Sequence, residues 1–264
     1  MTVRAAFLTT LLFASVAYLH SSEDQLSTLH GHCSVAPATK ADRVRVELED
    51  GECGSDRDHC HNHDDDEMPL SNFTGLTLAD FEHEGAHIDA VIGAEAGRIT
   101  CSGVVHALTL DGEFTFEPSA AFVERMRQIG FTGYSSQLLE AYALFHIEVS
   151  WVQDLESAGV TEMSAENILP LRIFKVDAGY VREMSALGFP HLSAGKLIAF
   201  KVQGVNPEEV KQYRALGYEP TEDELIQMRI FKVTPDFIQR MEARGLGKLT
   251  IAKLVQVRIF NLAD

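Results

Sequence analysis

The segments FVERMRQIG, WVQDLESAG, YVREMSALG, EVKQYRALG and FIQRMEARG end at Gly130, Gly159, Gly188, Gly217 and Gly245, so one pattern recurs at spacings of 29, 29, 29 and 28 residues. A tandem unit of this length is one supersecondary element, too small to bury its own apolar face, and it must stack on its neighbours. Within each segment apolar residues recur at helical spacing, as in Tyr180, Met184 and Leu187, which gives a narrow buried stripe. Three residues before each segment stand Ser119, Glu148, Asp177, Asn206 and Thr234. Four of these five are favoured acceptors for the unpaired amides of a helix start, and Pro207 and Pro235 follow two of them at a position where a missing amide is harmless. The glycine then ends the helix, and the apolar residue after it (Phe131, Val160, Phe189, Tyr218 or Leu246) packs back on that helix.

A second helix follows in every unit: SQLLEAYALFHI, AENILPLRIFKV, AGKLIAFKVQGV, EDELIQMRIFKV and IAKLVQVRIF. Thr221 to Glu224 opens one of them as a capping box. Residues 119–264 are therefore expected to form an array of five helix-hairpin repeats of about 29 residues.

Upstream the period changes. Val44, Val46 and Leu48 alternate with Arg43, Arg45, Glu47 and Glu49, and strand-like runs cover 87–91, 98–105 and 113–116. Asp111-Gly112 is a strong hairpin signal, and Thr77 is placed to cap a helical turn carrying Leu78 and Phe81. Residues 42–118 thus read as a small antiparallel β-domain of four or five strands with a long acidic loop, preceded by a flexible segment over 23–41. The fold class is α+β.

Ala5 to Leu19 is an apolar run after Arg4, with Ser15-Val16-Ala17 suited to signal-peptidase cleavage. It falls short of the roughly 20 residues that span a bilayer, so residues 1–22 read as a signal peptide of an exported protein, periplasmic or extracellular, with an uncleaved anchor as the alternative. Cys33, Cys53, Cys60 and Cys101 all lie in the first part of the chain. An even count in an exported chain fits two disulfides, with three connectivities open. The net charge of -17 disfavours nucleic acid as a partner, and no membrane contact beyond the signal peptide is expected. Asn72-Phe73-Thr74 is an N-glycosylation sequon.

The stretches RIFKVTPDFIQRMEARG and KVDAGYVREMSALGFPHLSAGKLIAFKV resemble the Thr-Pro and Leu-Gly-Tyr repeats of uncharacterised bacterial exported proteins. Such repeats also occur as C-terminal extensions of membrane-embedded zinc peptidases of the beta-lactam sensor type. MPLSNFTGLTLADF, AGRITCSG and DGEFTFEPSAAFVERM resemble the small β-region that precedes them, so the similarity runs from about Asp42 onward. The resemblance brings no catalytic residue with it. It implies a sensor or protein-binding role.

Three groups of residues carry candidate chemistry. His83-Glu84-Gly85-Ala86-His87 spells the H-E-x-x-H of a zinc peptidase, with His83 and His87 as ligands and Glu84 as base. Against it, Gly85 costs about 1 kcal/mol inside a helix, and HIDAVIG turns at once to strand alternation. The motif reads as a helix-to-strand junction. The run DRDHCHNHDDDE would place His59, His61 and His63 on one face of an extended chain, able to take zinc or copper, although such tracts are commonly solvated loops. Arg172, Lys201, Arg229 and Arg258 hold equivalent places in units two to five, with Ala143 in the first. Either each pairs with a neighbouring acid such as Glu183 or Glu242, or together they form a basic stripe for an acidic partner.

The chain contains no Ser-His-Asp elbow, phosphate loop or dinucleotide fingerprint. The expectation is an exported, non-catalytic protein-binding or sensing module with no required cofactor. The alternatives are a zinc metallopeptidase acting through HEGAH and a metal-binding protein using the His-rich loop.

Overall fold

In the computed structural model, residues 26–40, 42–50 and 66–260 are described. The first part is a seven-stranded antiparallel sheet, built from β1 (Leu29–Pro37), β2 (Arg43–Asp50), β3 (Asp66–Pro69), β4 (Phe73–Thr74), β5 (His87–Ala94), β6 (Gly97–His106) and β7 (Thr109–Pro118). Its order is β3-β2-β1-β7-β6-β5-β4. The sequence reading of 23–41 as flexible is corrected for Leu29–Pro37, which is a central strand paired to both β2 and β7. LHGHCSVAP is poor in β-formers, and its place comes from pairing on both sides.

The hairpin expected at Asp111-Gly112 is also displaced. The turn lies at Ala107 and Leu108, both left-handed (φ 47° and 64°), and β7 runs straight through Gly112. Leu110, Phe114 and Phe116 face the core in one phase, and a turn at 111–112 would have broken that phase. Gly112 stands opposite Gly103, and a Cβ on it would lie 2.2 Å from Ser102 O. Close strand approach is the reason for glycine here.

The sheet curls at this point. Cys33 and Cys101 lie on β1 and β6, either side of β7, yet they form a disulfide with Cα atoms 6.0 Å apart. Flat strands at about 4.8 Å separation would hold two-apart Cα atoms near 10 Å. Cys53, Cys60 and residues 1–22, expected as a signal peptide, lie outside the described residues. No described helix is long and apolar enough to cross a membrane.

Ten helices follow. The odd ones are α1 (Ala120–Gln128), α3 (Val149–Ser157), α5 (Ala178–Ala186), α7 (Pro207–Ala215) and α9 (Pro235–Met241). The even ones are α2 (Ser136–Leu144), α4 (Ala165–Ile173), α6 (Ala194–Gln203), α8 (Glu222–Ile230) and α10 (Ile251–Ile259). Each odd helix packs on the next odd helix and each even helix on the next even one. Ser119, Asp177, Asn206 and Thr234 accept from the backbone N–H three residues on, as N-caps do. Glu148 makes no such bond. Instead Glu95, in the β5–β6 turn, accepts from Val149 N at 3.1 Å and pairs with Arg125 at 3.2 Å, fastening α1 and α3 to the sheet.

α2 lies across β5, β6 and β7 and also packs on α4, so Ser136 and the whole run Leu139 to Leu144 are buried. The core therefore does not divide at residue 118. One cluster runs from the sheet through Phe122, Tyr142 and Val152 to Ile168, the other from Leu155 to Val255, and Trp151 and Met163 pack on both.

Candidate functional site

The five residues with zinc-peptidase spacing are divided between two elements. His83 is the C-cap of a 3-10 helix, Leu78–Glu82, with Nδ1 2.8 Å from Ala79 O. Gly85 turns the chain at φ 78°, and His87 opens β5. The backbone has already joined the sheet, because Gly85 N donates to Val105 O and Val105 N to Ala86 O. Ligation by this motif requires both imidazoles on one helical face. That face is not formed. Glu84, in the place of the base, reaches across to the β6–β7 turn, 2.5 Å from His106 Nδ1 and accepting from Ala107 N at 3.1 Å. Hydrogen bonding by His106, then by the Ala107 amide, holds its carboxyl below the usual range.

His59, His61 and His63 lie outside the described residues. Among the described residues, no group of three or more His, Cys, Asp or Glu side chains is placed to hold a metal ion.

A cleft of about 710 Å³ opens where the sheet meets the helices, and Glu95, Arg98, Glu117, His146 and Glu148 help line it. His146 holds the left-handed conformation (φ 49°), and its Nε2 is buried without a hydrogen-bond partner among the described residues. Burial, then the charge of Arg172, pushes its pKa down, against a smaller opposite effect of Glu148. The hydroxyl in the lining, Ser119, is occupied as the cap of α1.

The four cations at equivalent positions are built into the framework. Arg172 Nε donates to Phe145 O at 3.1 Å, Arg229 Nε to Gln203 O at 3.0 Å, and Arg258 Nε to Lys232 O at 3.1 Å, each at the C-terminal end of the preceding even helix. A cation there complements the exposed carbonyls and the helix dipole. Each also meets the third residue of its own odd helix. Arg172 lies over Trp151, Lys201 over Tyr180 at 4.2 Å, and Arg258 over Phe237 at 3.9 Å. In α7 that place is Glu209, which pairs with Arg229 at 2.6 Å. Neither Glu183 nor Glu242, the acids named from sequence, is the partner shown for any of the four.

Beside this column runs a feature the sequence reading passed over. Ile173, Val202, Ile230 and Ile259, each immediately after one of the cations, are 42%, 51%, 50% and 50% exposed. They end α4, α8 and α10, and in α6 they stand one residue from the end. Phe174 and Phe260 are exposed next to them, whereas Leu144, the counterpart in α2, is buried against the sheet. The signal was in plain view as RIFK, KVQG, RIFK and RIF. Its apolar residue falls outside the buried stripe of its helix, but exposure depends on what a neighbour covers. The scaffold beneath is tied by buried phenols: Tyr180 OH donates to Val205 O and Tyr213 OH to Val233 O. Burial pushes both pKa values up, so they remain donors.

No protein-family model matches this chain, and no curated protein or solved structure matches it significantly.

Proposed function

We propose that this protein is an exported, non-catalytic protein-docking module. In this reading α1 to α10 are five stacked helix-hairpin units, of the kind carried by the bacterial exported proteins and peptidase extensions that the sequence resembles. The observation that carries the reading is the ladder of Ile173, Val202, Ile230 and Ile259, one exposed aliphatic residue per even helix from α4 onward. A repeated apolar row flanked by Arg172, Lys201, Arg229 and Arg258 has the apolar centre and polar border of a protein interface. The Cys33–Cys101 disulfide supports passage through an oxidising compartment.

The test uses the full chain as bait in its native exported fraction, beside the Val202→Asp, Ile230→Asp double variant. A partner held by the native chain and released by the variant is the expected result. Identical capture by both proteins overturns the docking role of the ladder. A peptidase activity that disappears in Glu84→Gln would replace the reading with the zinc enzyme.

A further inference from the structure

We infer that the ladder receives an acidic amphipathic helix whose apolar residues recur every seven positions. This rests on the docking reading and adds the chemistry of the partner. α4, α6, α8 and α10 pack successively side by side, and packed helices stand about 8–10 Å apart. The four rungs are therefore spaced by about that distance. A helix rising 1.5 Å per residue advances about 10.5 Å in seven residues and returns nearly to the same face. An extended strand covers the same distance in three residues, which turns alternate anchors to opposite faces. Spacing thus excludes a flat β-strand and is met by an α-helix of about 22 residues, with four anchors.

Charge selects its sign. The stretches 172–175, 201–204, 229–232 and 258–260 contain Arg172, Lys175, Lys201, Arg229, Lys232 and Arg258 and no acid, in a chain of net charge -17. Arg229 is matched by Glu209, while Lys175 and Lys232 stand exposed at left-handed positions after α4 and α8. The ladder is thus a cationic, apolar row on a helical array that is itself near charge balance, with 16 Lys and Arg against 18 Asp and Glu over residues 119–264. A second copy of this chain would set the cationic row against its like, and an extended anionic bilayer would also meet the acid-rich first 118 residues. A short acidic helix lying along the row meets little of either.

The experiment measures fluorescence anisotropy of three labelled 22-residue peptides with the full chain. The first has Leu at every seventh position with Glu beside each, the second has Lys in place of Glu, and the third has the Leu positions scrambled. At least tenfold tighter binding of the first is expected, with a tenfold or greater loss in Ile230→Asp at unchanged melting temperature. General attraction by a -17 chain favours the basic peptide, so preference for the acidic one is diagnostic. Equal or better binding of the basic or scrambled peptide overturns the inference. So does binding to vesicles with anionic lipid in place of the acidic peptide, or a dimer in sedimentation that Ile230→Asp abolishes. If the captured partner is lost in the Val202→Asp, Ile230→Asp variant but the acidic peptide has no advantage, docking stands and the acidic helix fails. If neither depends on the ladder, both fail.

Discussion

Gly112 separates a local signal from a long-range requirement. Asp-Gly is the dipeptide of a tight hairpin, yet here the glycine serves the crossing of β6 and β7 opposite Gly103. Gly112→Ala would drive a Cβ against the backbone of Ser102 and Gly103, which cannot swing away as a side chain can. A loss of about 3 kcal/mol is expected by urea unfolding. Gly85→Ala meets nothing within 4 Å and should cost only about 1 kcal/mol from its positive φ. Equal losses would refute the close-crossing account. His146 is the other residue whose environment sets a measurable property. Its folded pKa lies below the ordinary 6.5, so above that value both folded and unfolded forms are neutral and stability is full. As pH falls below 6.5 the unfolded chain takes the proton first, and stability declines until the folded pKa is passed. His146→Asn, which tolerates the left-handed backbone, should lose less stability between pH 7.5 and 5.5 than the native protein. Parallel urea midpoints across that range would count against the burial of this imidazole.

At the scale of elements, the third residue of each odd helix shows how one position is solved twice. Trp151, Tyr180 and Phe237 give a ring to the cation above them, and Glu209 gives a carboxylate. Glu209 is buried, accepts from Arg229 at 2.6 Å, and lies 2.9 Å from the Tyr213 hydroxyl, whose one hydrogen it shares with Val233 O. Glu209→Tyr should fold within about 1 kcal/mol of the native protein, because a stacked ring replaces an ion pair whose desolvation offsets much of its attraction. Arg229→Met leaves the carboxylate buried and unpaired. It should cost about 2 kcal/mol, less than for a fully buried pair, since Arg229 keeps 31% exposure. Thermal unfolding of both variants decides it, and a milder effect in Arg229→Met than in Glu209→Tyr would reverse the assignment. Helix starts and stops were legible from the sequence because caps are local chemistry. Four of the five odd-helix caps act through their own side chains, while that of α3 is supplied from Glu95, 54 residues away.

For the whole molecule, the sheet and the first four helices share one core, so the disulfide inside the sheet has consequences beyond it. Cys33 and Cys101 close a span of 68 residues, worth about 4 kcal/mol in restricted unfolded-chain entropy. The double variant Cys33→Ala, Cys101→Ala should lose roughly that much. Amide exchange should rise in α2 together with β1 and β6, since Tyr142 and Leu139 lie in the same cluster as Cys33. Loosening confined to the strands would show instead that the helices form an independent core. The same continuity makes the full chain the sound bait for the docking experiment, because a chain beginning at residue 119 would expose the buried face of α2.

Composition, period and caps determined the α+β class and the helix starts and stops, because each depends on residues within one or two turns of one another, but they gave four or five strands where the sheet has seven. The strand character of β2, β5 and β6 and the starts of the odd helices belong to that group. Tertiary structure alone decided what shares a surface. It placed β1 at the centre of the sheet, joined Cys33 to Cys101 across a curled β7, and put His83 and His87 on different elements. It set the Nε of the half-exposed Arg172, Arg229 and Arg258 onto helix-end carbonyls. It also left Ile173, Val202, Ile230 and Ile259 facing out, while burying their counterpart Leu144. Whether an apolar side chain is core or surface depends on which distant element covers it, and no local pattern carries that information.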